Sequence, residues 1–502
     1  MTLPLEVYAA ADVRRIDRCA IESHGIAGYT LMNRAAQAAF DAARSAYPGA
    51  RRWQVVCGAG NNGGDGWVLA RLAAEQGMQV SAVALVAPES LSGDAATAWR
   101  DCAAAGGTEQ RFEGSLDPAA DLLVDAVLGS GLSREVEDDF AAAIEAMNRH
   151  AAPVVALDVP SGLSADSGAV LGSAVHADLT VTFVGLKTGL FLGQGPDHVG
   201  RLSFAGLDIP DECRGPIQPR LRRIGDQMVT QALPPRARGA HKGDFGHLLV
   251  IGGAPGMGGA VRLAAEAALR AGAGRVSVAT DPAHCSAINA GCPEIMCHGV
   301  PDARSLGPLL ERATAVAIGP GLGTAEWGRA MWQSVQARAL PIVADADALN
   351  LLAAAPMRSE HWILTPHPGE AGRLTGRSAD EVQADRLAAL EAIVGRYGGT
   401  AVLKGAGTLV SAADGPPWIT TSGNPGMATA GTGDVLTGVI GGLLAQGLDR
   451  EAAARVGVEV HARAGDLAAG DAPRGTTASD ILAALRSTVN PALPSPARDR
   501  RR

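Results

Sequence analysis

Cysteine is scarce in this sequence of 502 residues: there are seven, at positions 19, 57, 102, 213, 285, 292 and 297, odd in number and never in CxxC spacing. That pattern argues against a disulfide framework or a zinc site and for reduced thiols acting as small buried apolar groups. Long apolar runs are missing too. Although 47% of the residues are hydrophobic, no stretch of about 18 runs without a polar interruption, so no membrane-spanning helix is expected. The opening MTLPLEVYAAADVRRID lacks the basic and continuous apolar regions of a secretory signal and carries Asp12, Arg14, Arg15 and Asp17 at helical spacing. A cytoplasmic location is the expectation. Basic runs are confined to 498–502 and the formal charge is −9, which removes the electrostatic footprint of a nucleic-acid binder. Small molecules are the expected partners, with no nucleic acid and no membrane.

What is present is an alternation. Short β-branched runs are followed by longer Ala/Leu/Arg segments of helical period, as in QVVCGAG then WVLARLAAEQG, DLLVDAVLG then FAAAIEAMNRH, and HLLVIGG then VRLAAEAALRAGAG. This is the pattern of a parallel sheet wrapped by helices. At about 150 residues per domain the length implies two or three domains. The alternation pauses between 208 and 240, where proline, glycine and arginine concentrate, and a boundary near 225 gives domains 1–225 and 226–490. The segment 491–502, PALPSPARDRRR, reads as a disordered tail. The fold class is α/β, two three-layer domains in tandem.

In the first half GAGNNGGDGW, 58–67, follows an apolar strand and leads into WVLARLAAEQG. Ligands of a parallel α/β sheet sit outside the carboxyl ends of its strands, where free N–H groups and a helix dipole attract anions. Gly63, Gly64 and Gly66 can offer N–H groups to a phosphate, with amide contacts from Asn61 and Asn62. Asp65 beside such a nest is costly unless it meets a hydroxyl, a cation or developing positive charge. Asn62, Asp125 in VDAVLGSGL and Ser161 in LDVPSGL suit a monovalent cation, one carboxylate among neutral oxygens. Asp158 is a candidate for acid/base work or a ribose contact. Lys187 in FVGLKTGL either balances that charge or is a plain surface lysine.

GAGNNGGDG, VDAVLGSGL and LDVPSGL resemble the N-terminal domain of NAD(P)H-hydrate epimerases, over roughly 8–215. The resemblance implies a Rossmann-like fold that binds K+ through Asn62, Asp125 and Ser161. It implies that Asn61, Asn62, Gly63, Gly64 and Asp65 contact the damaged nucleotide, together with Asp158 and the loop Gly129, Ser130, Gly131, Leu132, Ser133, Arg134 and Glu135. Asp65 and Asp158 are the candidate catalytic acids there. Arg134-Glu135-Val136 stands where family members carry a more polar stretch.

The second half carries NPGMATAGTGDVLTG, in which Gly431, Thr432 and Gly433 precede a helix beginning near Asp434. That arrangement aims N–H groups and a positive dipole end at a phosphoryl group in transit, and Asp434 beside it can take a proton from an attacking hydroxyl. In AVLKGAGTLV, Lys404, Gly405, Ala406, Gly407 and Thr408 suit the phosphates and ribose of an adenine nucleotide. His367 lies between two prolines in TPHPGE, held in a stiff turn. Ala260 and Gly321 fall in VIGGAPGMGGA and AIGPGLG, at neighbouring strand ends. Asp345 and Asp347 in ADADALN serve either Mg2+ positioning or helix capping.

HKGDFGHLLVIGG, AIGPGLG, TPHPGE, LKGAGT and NPGMATAGTGDVL together resemble the ribokinase-like, ADP-dependent NAD(P)H-hydrate dehydratases, over roughly 230–487. The resemblance implies that Ala260, Gly321, His367 and Asp434 face the hydrated nicotinamide nucleotide, and that Lys404 to Thr408 and Gly433 bind the ADP or AMP moiety, with Mg2+ required. Fusion of the two halves is similar to the bifunctional repair enzymes, which implies epimerisation and dehydration of NAD(P)H hydrates at the expense of ADP, in a homo-oligomer. Two rivals follow from the same residues. A ribokinase-like small-molecule kinase would release a stable phosphate ester, and a noncatalytic nucleotide sensor would turn over nothing.

Overall fold

The computed structural model describes residues 3–490, and the segment read as a disordered tail, 491–502, lies outside them. The chain divides into two compact units, Met1–Arg222 and Arg223–Arg502.

Seven parallel strands form the sheet of the first unit, in the spatial order Thr108–Arg111, Gln79–Ala84, Arg52–Cys57, Leu122–Ala126, Val154–Leu157, Leu179–Phe183 and Arg201–Ala205. Successive side chains of a strand point to opposite faces, and the cores divide accordingly. Val55, Cys57, Val124, Ala126, Val155 and Leu157 pack with the helices Ala10–Glu22, Gly28–Ala46 and Asn61–Glu75. Val56, Leu123, Val127, Val154 and Ala156 pack with Ala143, Ile144 and Met147 of the helix Asp138–Arg149 on the other side. Both faces are covered, which is why the strands read as apolar runs and not as an alternation.

The second unit repeats the plan. Its strands run Met296–Gly299, Arg275–Thr280, His247–Ile251, Ala315–Ile318, Ile342–Ala344, Trp362–Leu364 and Thr400–Leu403, all parallel, and then Leu409–Ser411 and Trp418–Ile419, antiparallel. One face packs against Gly258–Ala271, Thr432–Ala445, Arg450–Ala469 and Ala478–Thr488. The opposite face carries Trp362, whose ring lies 5.6 Å from that of Trp332 on Glu326–Gln336.

In each unit strand order reverses once. The reversal falls between Arg52–Cys57 and Leu122–Ala126 in the first unit, and between His247–Ile251 and Ala315–Ile318 in the second. Chains leaving the two strands turn to opposite sides there and open a crevice, the place where α/β sheets bind ligands. The glycine-rich segments 58–67, 252–259 and 319–323 all emerge at these two points.

Two expectations are corrected. Cys19 and Cys213 are paired in a disulfide, with their Cα atoms 5.5 Å apart. Separated by 194 positions, they carry no local signal, so spacing alone assigned them as free thiols. The segment NNGGDG is helix and not loop, since Asn61–Glu75 is one continuous helix. Glycine disfavours helix by about 1 kcal/mol relative to alanine, and here close packing overrides that preference. A Cβ on Gly63 would lie 2.1 Å from the Gly58 carbonyl oxygen, and one on Gly66 2.5 Å from the Ala126 Cβ. The glycines let the first two helical turns lie directly on the strand ends. No helix among the described residues is long and apolar enough to cross a membrane.

Candidate functional site

The helix Asn61–Glu75 starts from Gly60 with no side-chain cap, so its first-turn N–H groups face the crevice with the positive end of the dipole behind them. Gly64 N already donates to the Gly60 carbonyl at 3.1 Å, and Gly63, Gly64 and Gly66 are buried. Their place is in packing, and Asn61, exposed at the tip, is the accessible residue of the group.

Beneath that turn lies a buried polar set. Asp125 and Ser161 are fully buried and Asn62 nearly so. Ser161 N donates to Asp125 Oδ2 at 2.8 Å, Ser161 Oγ to Asp125 Oδ1 at 2.5 Å, and Val127 N to the same Oδ1 at 3.2 Å. Both polar atoms of the Asn62 side chain are buried without a hydrogen-bond partner. Burial lifts the Asp125 carboxyl to about 6, against the lowering effect of its donors from Ser161 and Val127. An orphaned amide beside a carboxylate short of positive charge is what a monovalent cation would satisfy.

Asp158 sits at the end of Val154–Leu157 with φ of 67°, in the left-handed region. Such a backbone persists only where its surroundings hold it. Lys187 supplies the hold: it is 1% exposed, ion-pairs with Asp158, and donates to Thr182 Oγ1 at 3.0 Å and the Phe183 carbonyl at 2.8 Å. It is therefore not a surface lysine. Asp65 is held well above the usual carboxylate range by burial, then by the charges of Asp158 and Asp17, with Lys187 opposing. The 129–135 loop overhangs this edge. Gly131, Ser133, Arg134 and Glu135 are exposed, Gly129, Ser130 and Leu132 half-buried, and Arg14 donates to the Ser130 carbonyl at 3.1 Å.

In the second unit Gly321, with φ of 58°, brings its loop against the start of Gly258–Ala271. A Cβ there would lie 3.4 Å from the Ala260 Cβ and 2.8 Å from Met257. Asp347 Oδ2 accepts from Gly323 N at 2.8 Å and Oδ1 from Asn350 at 3.3 Å, so Asp347 braces this loop. Asp345 is buried and makes no cap, because its oxygens are taken by Lys404 Nζ and Thr437 Oγ1, each at 2.7 Å. Both oxygens of each aspartate thus accept from the protein, Asp345 at the strand ends and Asp347 at the loop.

Lys404 is where the strand ends converge. Its ammonium meets Asp345 at 2.7 Å and Glu370 at 3.8 Å. Burial works to lower its pKa, yet these carboxylates hold it above the ordinary value. Its backbone N donates to the Pro366 carbonyl at 2.9 Å, joining the KGAGT and TPHPGE segments. Arg386, 6% exposed, donates to the carbonyls of Ala406, of Leu403 at 3.1 Å and of Lys404 at 3.3 Å, and so shapes the loop. His367 caps the helix Pro368–Thr375: its Nδ1 accepts from Gly369 N at 3.0 Å and Glu370 N at 3.4 Å, and Glu370 Oε2 accepts from His367 N at 2.8 Å.

The helix Thr432–Ala445 begins from Gly431, φ 91°, again without a side-chain cap. A Cβ on Gly433 would lie 3.4 Å from Lys404 Nζ. Asp434, in the first turn, is raised to about 7, first by burial, then by Asp345, with Lys404 lowering and Glu370 raising it. An aspartate poised near neutrality, beside a half-buried ammonium and an open helix N-terminus, is suited to take a proton next to a phosphoryl group. Sequence reasoning missed Glu370 and Arg386. The glutamate stood inside the quoted motif TPHPGE, five residues after its threonine, and was the signal available. Nothing local marked the arginine.

These features define a class: two α/β domains in one chain, each with an uncapped, glycine-started helix and an acid at the switch point of its sheet. The comparisons agree. Residues 248–487 match the family model described as NAD(P)H-hydrate dehydratase and residues 28–189 that described as YjeF-related protein N-terminus. The chain is 47% identical, over 97% of its length and 99% of the relative's, to the bifunctional NAD(P)H-hydrate repair enzyme Nnr of Coxiella burnetii. It is 44% identical to that of Escherichia coli, over 98% of this chain and 95% of the other. A ribokinase-like superfamily protein from Enterococcus faecalis superimposes with a TM-score of 0.51 at 30% identity, covering 54% of this chain and 95% of its own. The chain belongs to the family of bifunctional NAD(P)H-hydrate repair enzymes.

Proposed function

We propose that the chain repairs hydrated NADH and NADPH, with residues 1–225 interconverting the R and S epimers and residues 226–490 dehydrating the S form with ADP. Hydration adds water across an enamine double bond of the reduced nicotinamide, and the hydroxyl goes to the carbon beside the ring nitrogen, where positive charge is stabilised. That carbon is the stereocentre.

In the first unit the nucleotide lies along Asn61 to Asp65 and under the 129–135 loop. Protonated Asp65 gives its proton to the hydroxyl while the ring nitrogen lone pair forms the C=N bond and the C–O bond breaks. Water then adds to either face of the planar ring and returns a proton to Asp65, so nothing is oxidised and nothing consumed. Asp158, pinned by Lys187, orients the nucleotide. Asn62, Asp125 and Ser161 would hold K+, and the orphaned Asn62 amide supports the fit. The ion would supply positive charge that steadies the turn carrying Asp65.

In the second unit Lys404 to Thr408 and Gly431 to Gly433 hold ADP, while Ala260, Gly321 and His367 flank the hydrate. Asp434 takes the hydroxyl proton as the oxygen attacks the terminal phosphorus of ADP, and AMP leaves. Phosphate then departs with the C–O electron pair, and loss of a proton from the neighbouring carbon restores the double bond. Phosphorylation is required because hydroxide is a poor leaving group. Mg2+ would accompany the ADP phosphates and neutralise their charge.

The observation that carries this proposal is Asp434, held near 7 beside Lys404 at the open start of its helix. The test supplies the purified chain with both epimers, ADP, Mg2+ and K+, and follows absorbance of the reduced nicotinamide together with product masses. Full conversion of both epimers with one AMP and one phosphate per hydrate is expected. Unchanged hydrate, or a stable phosphate ester, overturns it. The same preparation is expected to run as a homo-oligomer on calibrated sizing and to fractionate with the cytoplasm.

A further inference from the structure

We propose that Cys19, His24 and Cys213 form a metal site, a set of two thiolates and one imidazole that takes Zn2+ when the Cys19–Cys213 disulfide is reduced. The site involves none of the residues assigned to the nucleotide chemistry and does not depend on that assignment.

Sequence spacing hides the set, because its members stand at positions 19, 24 and 213, and the backbone assembles it. Cys19 lies in the last turn of the helix Ala10–Glu22, three residues after the buried Ile16. The helix ends directly behind it. Ser23 N donates to the Cys19 carbonyl at 2.9 Å and Ile26 N reaches back to the Ala20 carbonyl at 3.1 Å, with Gly25 making the turn at φ of 66°. That reversal returns His24 to the side of Cys19. Cys213 closes the short turn Asp211–Cys213, and the next residue pins it: the Arg214 guanidinium donates to the carbonyls of Ile209 at 2.7 Å, Gly206 at 3.0 Å and Val184 at 3.3 Å. The Cα atoms of the two cysteines are 5.5 Å apart. Their Sγ atoms and a ring nitrogen of His24 all lie within 4.8 Å of one another.

A disulfide needs two cysteines and no imidazole, so the third group is what points to a metal. Zn2+ takes thiolate sulfur and imidazole nitrogen in a tetrahedral set, and three protein ligands with water in the fourth place make an open site. Two thiolates neutralise the ion, which suits Cys213 at 2% exposed, while His24 is exposed and leaves a way in. A dithiol reductant supplies two electrons and two protons, opens the S–S bond to two thiols and itself closes to a cyclic disulfide. Zn2+ then displaces both thiol protons and accepts lone pairs from the two thiolates and the neutral imidazole. The helix Ala10–Glu22 thus stays tied to the turn that ends at Cys213 in either state, by the disulfide in oxidising surroundings and by the metal where thiols are kept reduced.

The test uses the full chain, reduced with dithiothreitol under argon, freed of reductant by gel filtration and titrated with Co2+ and then Zn2+, beside a sample kept in the disulfide form as checked by thiol counting. The reduced chain is expected to take up one Co2+ with thiolate-to-cobalt charge-transfer absorption and the visible bands of a tetrahedral ion, and to exchange it for one Zn2+. Zinc-edge X-ray absorption is expected to show two sulfurs at about 2.3 Å and a nitrogen at about 2.0 Å, and the disulfide form to give none of these signals. Cys19→Ser and Cys213→Ser are each expected to weaken Zn2+ binding by about 100-fold or more, and His24→Ala by about tenfold or more. Cys285→Ser combined with Cys297→Ser, a control for the other half-buried thiols, is expected to leave it unchanged. Because His24 is exposed, its variant separates loss of a ligand from loss of the fold, which circular dichroism checks in every sample. A reduced chain that takes up no Co2+, a disulfide form that binds as tightly, binding unmoved by either cysteine variant, or wild-type affinity in His24→Ala each overturns the site.

Discussion

The two units place similar parts to opposite chemical effect. Each starts an uncapped helix from a glycine at its switch point and sets an aspartate in the first turns, Asp65 in one and Asp434 in the other. In the first unit Lys187 is paired with Asp158, and Asp65 is raised well above the ordinary carboxylate range by burial and by the charges of Asp158 and Asp17, with Lys187 opposing. In the second, Lys404 is anchored by Asp345 and Glu370 yet still lowers Asp434, which stops near 7. In the proposed roles the first site offers an acid, Asp65, and the second a base, Asp434. That is the division the two reactions need, since expelling water from a ring carbon requires a proton and activating a hydroxyl toward phosphorus requires a proton acceptor. In both units the nearby lysine is paired with another aspartate and lowers the candidate acid, so the difference between the two sites lies in how far burial and the neighbouring carboxylates raise it.

The largest effect expected from this contrast is in the second unit. Asp434→Asn removes the acceptor while keeping shape, and dehydration is expected to fall by about 10³-fold or more, with ADP binding retained in calorimetry and epimerisation unchanged. Residual dehydration near wild type would show that the base lies elsewhere. Next comes the lysine of the first unit. Lys187→Met leaves Asp158 in a strained turn without its ion-pair partner, holding only the long bonds from Thr182 Oγ1 and Phe183 N at 3.4 Å, and losing one member of a buried pair costs about 3–5 kcal/mol. Denaturant unfolding followed through the first unit is expected to lose that much, and epimerisation with it. A variant as stable as wild type would mean that the pair is not what holds Asp158.

The glycines sharpen the comparison at smaller scale. Gly63 has backbone 2.1 Å from where a Cβ would go, whereas the same position on Gly433 meets the end of a lysine side chain at 3.4 Å. Gly63→Ala is expected to cost about 1–3 kcal/mol of stability, and Gly433→Ala to leave the melting temperature within a degree or two while weakening ADP binding. Equal losses of stability in the two variants would erase the distinction between packing glycines and binding glycines.

The strands, both sheet classes and the convergence of motifs at strand ends were legible because β-branched runs and glycine punctuation are local signals. So were Asp125 with Ser161 and Lys404 with its loop, since each lies at the end of a readable strand. What stayed hidden is non-local. The helical state of NNGGDG depends on close packing such as that of Gly66 on Ala126, a distant residue in the sequence, against the intrinsic preference of glycine. The burial of Lys187 depends on the turn of Asp158, and the Cys19–Cys213 bond on a separation of 194. Asp345 and Asp347, adjacent in motif and alike in type, part company because one faces Lys404 and the other a loop amide.

The smallest expected effect is in pH dependence. Asp434 must be ionised to accept a proton, and its pKa of about 7 lies above the ordinary 3.8. The dehydratase kcat is therefore expected to rise to a plateau above about pH 7.5 and to drop about tenfold for each unit below 7. Stability moves the other way for this group. An acid whose folded pKa is raised binds its proton more tightly folded than unfolded, so the folded state gains from Asp434 as pH falls from 7 toward 4. Activity lost between pH 7 and 6 is then not unfolding. Melting curves recorded at both values decide the matter: a melting temperature held or raised at pH 6 while turnover falls assigns the loss to Asp434, and a parallel fall in both would assign it to the fold.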